Sequence, residues 1–159
     1  MFFGEFQHTI DQKNRIVIPA KFRVFVSEKE DRKGFIIGLS VIRNEPCLYM
    51  YPYSGMRKVI EDVQRVIGSA PDGDDLLRLF STNAEFVAID SQSRIVIPQK
   101  LIDAVRLPKE VILTGVIDRI EIWSAGDWLE RQKGHGGLKE RLIHLSRGEG
   151  TEGSSGRSN

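Results

Sequence analysis

Cysteine is almost missing from this chain: Cys47 stands alone among 159 residues. One cysteine excludes an intrachain disulfide and any cysteine-based metal cage, and cytoplasm is the natural compartment. Histidine is scarce too. His8, His135 and His144 have no metal-ligand spacing, so no metal is expected. No apolar run reaches membrane-spanning length, so no membrane partner is expected. The opening Met1-Phe2-Phe3-Gly4-Glu5 has no basic region or small-residue cleavage site, and no secretory leader is expected. A phosphate-cradling glycine loop is also lacking, since the glycines near residue 134 and in the tail do not follow a strand. Excess charge of one sign is missing as well, with a net of +1. These gaps argue against an enzyme, a cofactor and a small-molecule substrate. Global charge does not announce a nucleic-acid partner either.

What the chain does have is one decapeptide used twice. Ile10-Asp11-Gln12-Lys13-Asn14-Arg15-Ile16-Val17-Ile18-Pro19 returns as Ile89-Asp90-Ser91-Gln92-Ser93-Arg94-Ile95-Val96-Ile97-Pro98. Seven of the ten positions are identical, and the three that differ lie together between Asp and Arg. Such self-similarity marks one structural unit repeated. Ile-Val-Ile is β-branched throughout and suits a strand. The polar residues before it suit a turn, in which Asp11 or Asp90 bonds the backbone two residues on and Asn14 tolerates a left-handed conformation. Pro19 and Pro98 end the strands and start helices. Each unit therefore reads as strand, polar turn, strand, Pro and short helix, with Arg15 or Arg94 held at a hairpin corner.

Taken in order, Glu5 to Ile10 is expected to pair with Arg15 to Ile18 across the first turn. Ala20 to Val26 is a short helix, Ser27 to Lys33 a charged loop, and Gly34 to Gly38 and Cys47 to Tyr51 are strands. Met56, Val59, Ile60, Val63 and Ile67 fall at helical spacing, with Ser54 as N-cap. A second helix, capped by Asp74, carries Leu76, Leu77 and Phe80 and ends at Asn83. The order then repeats: strand Glu85 to Ile89, strand Arg94 to Ile97, helix Gln99 to Val105, strands Val111 to Gly115 and Ile120 to Trp123. Ala125 to Lys133 and Leu138 to Leu145 read as helices. The tail from Arg147 to Asn159 has no apolar anchor and is expected to be disordered. The domain plan is 5–52 for repeat one, 53–83 for a helical connector, 84–127 for repeat two, 128–146 for C-terminal helices and 147–159 for the tail.

Charge adds a mild asymmetry. In residues 1–27, Lys13, Arg15, Lys21 and Arg23 outnumber Glu5 and Asp11 by two. Arg94, Lys100, Arg106 and Lys109 outnumber Asp90 and Asp103 by the same margin in residues 89–109, whereas residues 54–80 are net acidic by one. Plainer readings stand beside these features. Cys47 in a strand is a buried, inert thiol, and Asp11 and Asp90 bond their own turns rather than pair for catalysis. On the plain reading Arg15 and Arg94 merely pair with those carboxylates. Phe22, Phe35, Tyr51, Phe80, Phe86 and Trp123 read as core, while Phe2, Phe3 and Trp128 are open to a subunit contact.

Twin Asp-x-x-x-Arg turns, each followed by an apolar triplet, a Pro and a short helix, resemble the MraZ family of bacterial transcriptional regulators. Each repeat is similar to a SpoVT-AbrB domain. Met1-Phe2-Phe3-Gly4, the Cys47-Leu48 to Tyr51-Pro52 strand and the Glu121-Ile122-Trp123 strand match as well, so the resemblance spans residues 1 to about 145. It implies an α+β chain whose two pseudo-symmetric, β-rich repeats form one swapped-hairpin, AbrB-like barrel, with a helical connector and C-terminal helices. It also implies ring-like homo-oligomers, cytoplasmic and nucleoid-associated, that bind tandem direct repeats in double-stranded promoter DNA. In the family that promoter serves the division and cell-wall gene cluster, including the regulator's own gene.

Carried over by position, the DNA-contacting candidates are Lys13 and Arg15 in the first turn and Arg94 in the second; Asn14, Lys21 and Arg23 join them as DNA-binding candidates. Asp11 and Asp90 stabilise the turns. The sequence departs from the family where Gly is usual before each Arg, having Asn14 and Ser93. The second turn also has Gln92 where the first has Lys13, which leaves Arg94 standing alone. Two functions follow. One is a sequence-specific DNA-binding regulator without catalytic activity. The alternative is a protein-interaction, antitoxin-like module that binds a partner protein through the hydrophobic connector.

Overall fold

The computed structural model describes residues 1–26, 29, 31–40 and 45–146. The expected tail and part of the charged loop at 27–33 lie outside them. The chain forms two compact units, Met1–Ala125 and Gly126–Asn159. In the first, the order is β1 Phe2–Thr9, β2 Arg15–Val17, α1 Ala20–Arg23, a 3₁₀ turn Asp31–Lys33, β3 Gly34–Ser40, β4 Glu45–Pro52, α2 Tyr53–Ile67, α3 Gly73–Thr82, β5 Ala84–Ala88, β6 Arg94–Val96, α4 Gln99–Ala104, β7 Glu110–Ile117 and β8 Arg119–Ser124. The second unit holds α5, whose helix starts one residue early at Ala125 and runs to Lys133, and α6, Gly136–Ser146. No helix among the described residues is long and apolar enough to cross a membrane.

The fold is α+β with antiparallel pairing. Six strands follow the order β1-β7-β8-β4-β3-β5, and β2 and β6 form a separate two-stranded ribbon. The six-stranded sheet does not close, so its hydrogen bonding is that of an open sheet and not of a barrel.

One expectation is overturned. β1 does not pair with β2. It pairs along its whole length with β7, Phe2 opposite Ile117 through Thr9 opposite Glu110. β5 likewise leaves its own repeat and pairs with β3. The reason is ladder length. β2 has three residues and offers few backbone bonds, whereas β7 has eight and matches β1 residue for residue. Each repeat thus lends its first strand to the other. Gly115 permits one exchange, because a Cβ there would lie 2.5 Å from the backbone of Phe2 and Phe3. At Gly38, its counterpart on β3, a Cβ would lie 2.7 Å from the Asn83 carbonyl and 3.2 Å from Ala84 at the start of β5.

β2 and β6 meet as twins. Ile16 faces Ile95, Arg15 faces Val96 and Val17 faces Arg94, so the repeat's pseudo-twofold axis passes between the two isoleucines. Ile16, Ile18, Ile95 and Ile97 are buried with Phe2, Phe22, Phe35, Leu48, Met50 and Leu113 in one core shared by both repeats. Trp123 is buried as expected, but Phe86 is half exposed. It sits on edge strand β5, where alternation sends Val87 inward and Phe86 outward. Phe2 belongs to the core, Phe3 is exposed and Trp128 is partly buried.

The helix starts also differ from the sequence reading. α2 begins at Tyr53, and Ser54 lies inside it. Its N–H and hydroxyl both donate to Asp31, at 2.7 and 2.6 Å, so a buried carboxylate from the 3₁₀ turn serves the helix start. α3 has Asp72, not Asp74, at its cap position, and Asp74 occupies the first turn, where its charge favours the helix dipole.

Candidate nucleic-acid interface

Both turns are built alike. The Asn14 N–H donates to the Asp11 carbonyl at 3.0 Å, and the Asp11 N–H to the Arg15 carbonyl at 3.0 Å. Ser93, Asp90 and Arg94 repeat this at 3.0 and 2.8 Å. Closing so tight a loop needs one left-handed residue, supplied by Asn14 at φ 57° and Ser93 at φ 61°. Beyond the turn each hairpin opens at once: the Ile10 N–H goes to the Lys109 carbonyl and the Ile89 N–H to the Lys33 carbonyl.

Each aspartate organises its turn. Asp11 Oδ1 accepts from the N–H groups of Lys13 and Arg15, and Oδ2 accepts from Arg15 Nε at 2.7 Å. Asp90 does the same for Gln92, Arg94 and Arg94 Nε, the last at 2.8 Å. The Arg15 backbone N–H is the main force holding the Asp11 carboxyl below its ordinary pKa of 3.8; desolvation opposes it, and the guanidinium and the Lys13 N–H add to it. Asp90 is lowered in the same way, chiefly by the Arg94 N–H. The arginines bond these carboxylates through Nε alone. Their Nη groups make no hydrogen bond among the described residues, and the side chains are about a third and a quarter exposed.

The ribbon locks the turns to the opposite repeat. The Ile97 N–H donates to the Asn14 carbonyl at 2.8 Å, and the Ile18 N–H to the Ser93 carbonyl at 2.9 Å. Asn14 Nδ2 donates to Gln99 Oε1, and Gln99 Nε2 to Asp103. Arg23, a candidate from the first repeat, donates from Nη1 to Ser93 Oγ at 2.9 Å and so stands at the second turn. Arg94 is therefore not the lone cation there. The first turn has exposed Lys13 and also Lys109, whose Nζ donates to the Asp11 carbonyl at 3.1 Å. Lys21 lies 5.8 Å from the Phe6 ring, away from either turn's hydrogen bonds. Gln99 and Lys109 were not among the sequence candidates, because each reaches its turn from the other repeat.

Away from the turns, Glu45, buried Cys47 and Glu121 bring possible metal-ligand atoms within 4.8 Å of one another. Both carboxylates are already engaged. Glu121 accepts from Arg119 at 2.8 Å and from Trp123 Nε1 at 3.0 Å, and Tyr49 donates to Glu45. With the Arg119 cation balancing Glu121, these residues form a polar network across β4 and β8.

Fold and site together define a class: a duplicated α+β chain with two exposed Asp–Arg turns at opposite ends of one antiparallel ribbon. A family model described as "MraZ protein, putative antitoxin-like" matches residues 1–78 and 80–134. The protein of Clostridium acetobutylicum named "Transcriptional regulator MraZ" is 37% identical over 130 residues, covering 82% of this chain and 86% of that one. Its namesake in Moorella thermoacetica is 36% identical over 130 residues, covering 82% and 85%. A third, from Desulfitobacterium hafniense, is 31% identical over 149 residues, covering 91% and 99%. The chain belongs to the MraZ family.

Proposed function

We propose that the chain is a sequence-specific DNA-binding transcriptional regulator rather than an enzyme, and that the β2–β6 ribbon and its two turns are the reading surface. The observation that carries this is the pair of arginines, each fixed through Nε by its own aspartate with both Nη groups left for a ligand. A guanidinium held so is ready to bond guanine O6 and N7 bidentately in the major groove. Lys13, Arg23 and Lys109 are placed for phosphates. The relatives' shared name supports the reading. On this reading the exchanged strands serve the swapped-hairpin, AbrB-like barrel built by repeats 5–52 and 84–127, and ring-like homo-oligomers engage tandem repeats in the promoter of the division and cell-wall genes, this chain's own gene included. Modest charge per copy is offset because a ring presents many turns at once.

The test is a binding titration on the DNA upstream of the chain's own gene, at two salt concentrations. Arg15→Ala should cost about 1–3 kcal/mol per engaged site and relax sequence preference. Lys13→Ala should weaken all sequences alike and flatten the salt dependence. Unchanged binding by both Arg15→Ala and Arg94→Ala would remove the main support for DNA reading.

A second reading has its own observation. The connector walls an apolar groove of about 330 Å³ that includes Met56, Ile60, Val63, Phe80 and half-exposed Phe86. A partner protein seated there would make the chain an antitoxin-like module, and Phe86→Asp would abolish that contact while leaving the ribbon intact.

A further inference from the structure

The ribbon's outward face carries more than arginine. Along β2, Ile16 is buried while Arg15 and Val17 face outward, and along β6, Ile95 is buried while Arg94 and Val96 face outward. The register sets Arg15 directly opposite Val96 and Val17 directly opposite Arg94. The result is a two-by-two pattern in which each arginine has a valine across the ladder and another valine two residues along its own strand. Val17 is 43% exposed and Val96 53%, against 1% for the isoleucines between them.

A strand needs β-branching at such positions, and threonine would supply it with a hydroxyl turned to water. Single exposed valines are ordinary. Here, however, two occupy equivalent places in both repeats, and the decapeptide copies differ only inside the turns. We propose that Val17 and Val96 are specificity residues that read thymine through its 5-methyl group. This rests on the DNA-binding reading above and deepens it.

The chemistry is specific. A two-stranded ribbon fits the major groove, and the thymine methyl is an apolar group displayed on the base edges there. Burying it against a valine removes two apolar surfaces from water, whereas cytosine in its place presents an amino group that valine leaves unbonded. Opposed Cβ atoms in an antiparallel ladder stand about 4.5–5.5 Å apart. Successive bases on one strand rise about 3.4 Å. Each chain should therefore favour guanine and thymine within one or two base pairs of each other, once for each Arg–Val pair.

The probe is the DNA upstream of the chain's own gene, amplified either with dTTP or with dUTP, so that every thymine inside the amplified segment keeps or loses its methyl. The full chain should bind the uracil DNA roughly fivefold or more weakly, the low end of a base mismatch. Val17→Ser and Val96→Ser together should bind both DNAs with the same affinity. Equal binding of the two DNAs by the unaltered chain overturns the inference and leaves the DNA-binding reading standing. A serine variant that keeps the full thymine-to-uracil ratio shows that the methyl groups act through DNA shape, and overturns it too. No binding to either DNA by the unaltered chain overturns both.

Discussion

Each turn carboxylate divides its oxygens, Oδ1 serving two backbone N–H groups and Oδ2 one guanidinium N–H. All three bonds want the carboxylate ionised, which is why the Asp11 and Asp90 pKa values fall below 3.8 in the folded chain. A lowered folded value means that the unfolded chain takes up the proton first. The stabilisation is therefore present above the unfolded value and is lost as pH falls through the lower folded value. Carbon NMR of the two carboxyls should show both titrating below the ordinary carboxylate range, and the Asp11→Asn, Asp90→Asn double variant should lose less stability between pH 5 and pH 2 than the unaltered chain. The Asp–Arg unit was legible in the sequence because its bonds run over two and four residues. The bonds of Asn14 to Gln99 and of Arg23 to Ser93 were not, since they span 85 and 70 residues. No local pattern encodes them.

At the scale of elements, hydrophobic period placed the strands and helices to within a few residues, but it could not choose partners. Alternation says which way a side chain faces, not which strand lies beside it. The exchange of β1 and β5 turned on ladder length and on where two backbones can approach. Gly115 is the clearest marker of that approach. A methyl group there meets main chain and not a yielding side chain, so Gly115→Ala should part β1 from β7 and cost about 1–3 kcal/mol, as overpacking does. Gly137→Ala, with open space around it in a helix, should be neutral or stabilising by up to about 1 kcal/mol. Denaturant melts of the two variants make the comparison. If Gly115→Ala melts like the parent, the β1–β7 register needs revision. The same ignorance of partners misplaced the start of α2, which Asp31 serves from 23 residues away.

For the molecule as a whole, the open sheet has β1 and β5 as its two edges, with no further strand paired to either among the described residues. The β1 edge carries exposed Met1 and Phe3, with Phe25 packed edge-on against Phe3 at 6.3 Å. The β5 edge carries Phe86 beside the apolar groove. Edges of this kind invite pairing with another copy. Light scattering at micromolar concentration should report a homo-oligomer well above a dimer, and Phe3→Asp with Phe86→Asp should reduce its mass; a monomer from the unaltered chain would exclude the ring. The exchanged strands have a further consequence, in the time a ribosome takes to make the chain. Phe2 finds its partner only when Ile117 exists, so the first strand must wait without that neighbour until the stretch from Glu110 to Ile117 has been made. Closing so long a loop is slow, and the waiting apolar strand is open to aggregation and to capture by chaperones. Severed between Ala70 and Pro71, the two halves should each be unstructured alone by circular dichroism and should regain strand signal on mixing, because each half supplies a strand that pairs in the other.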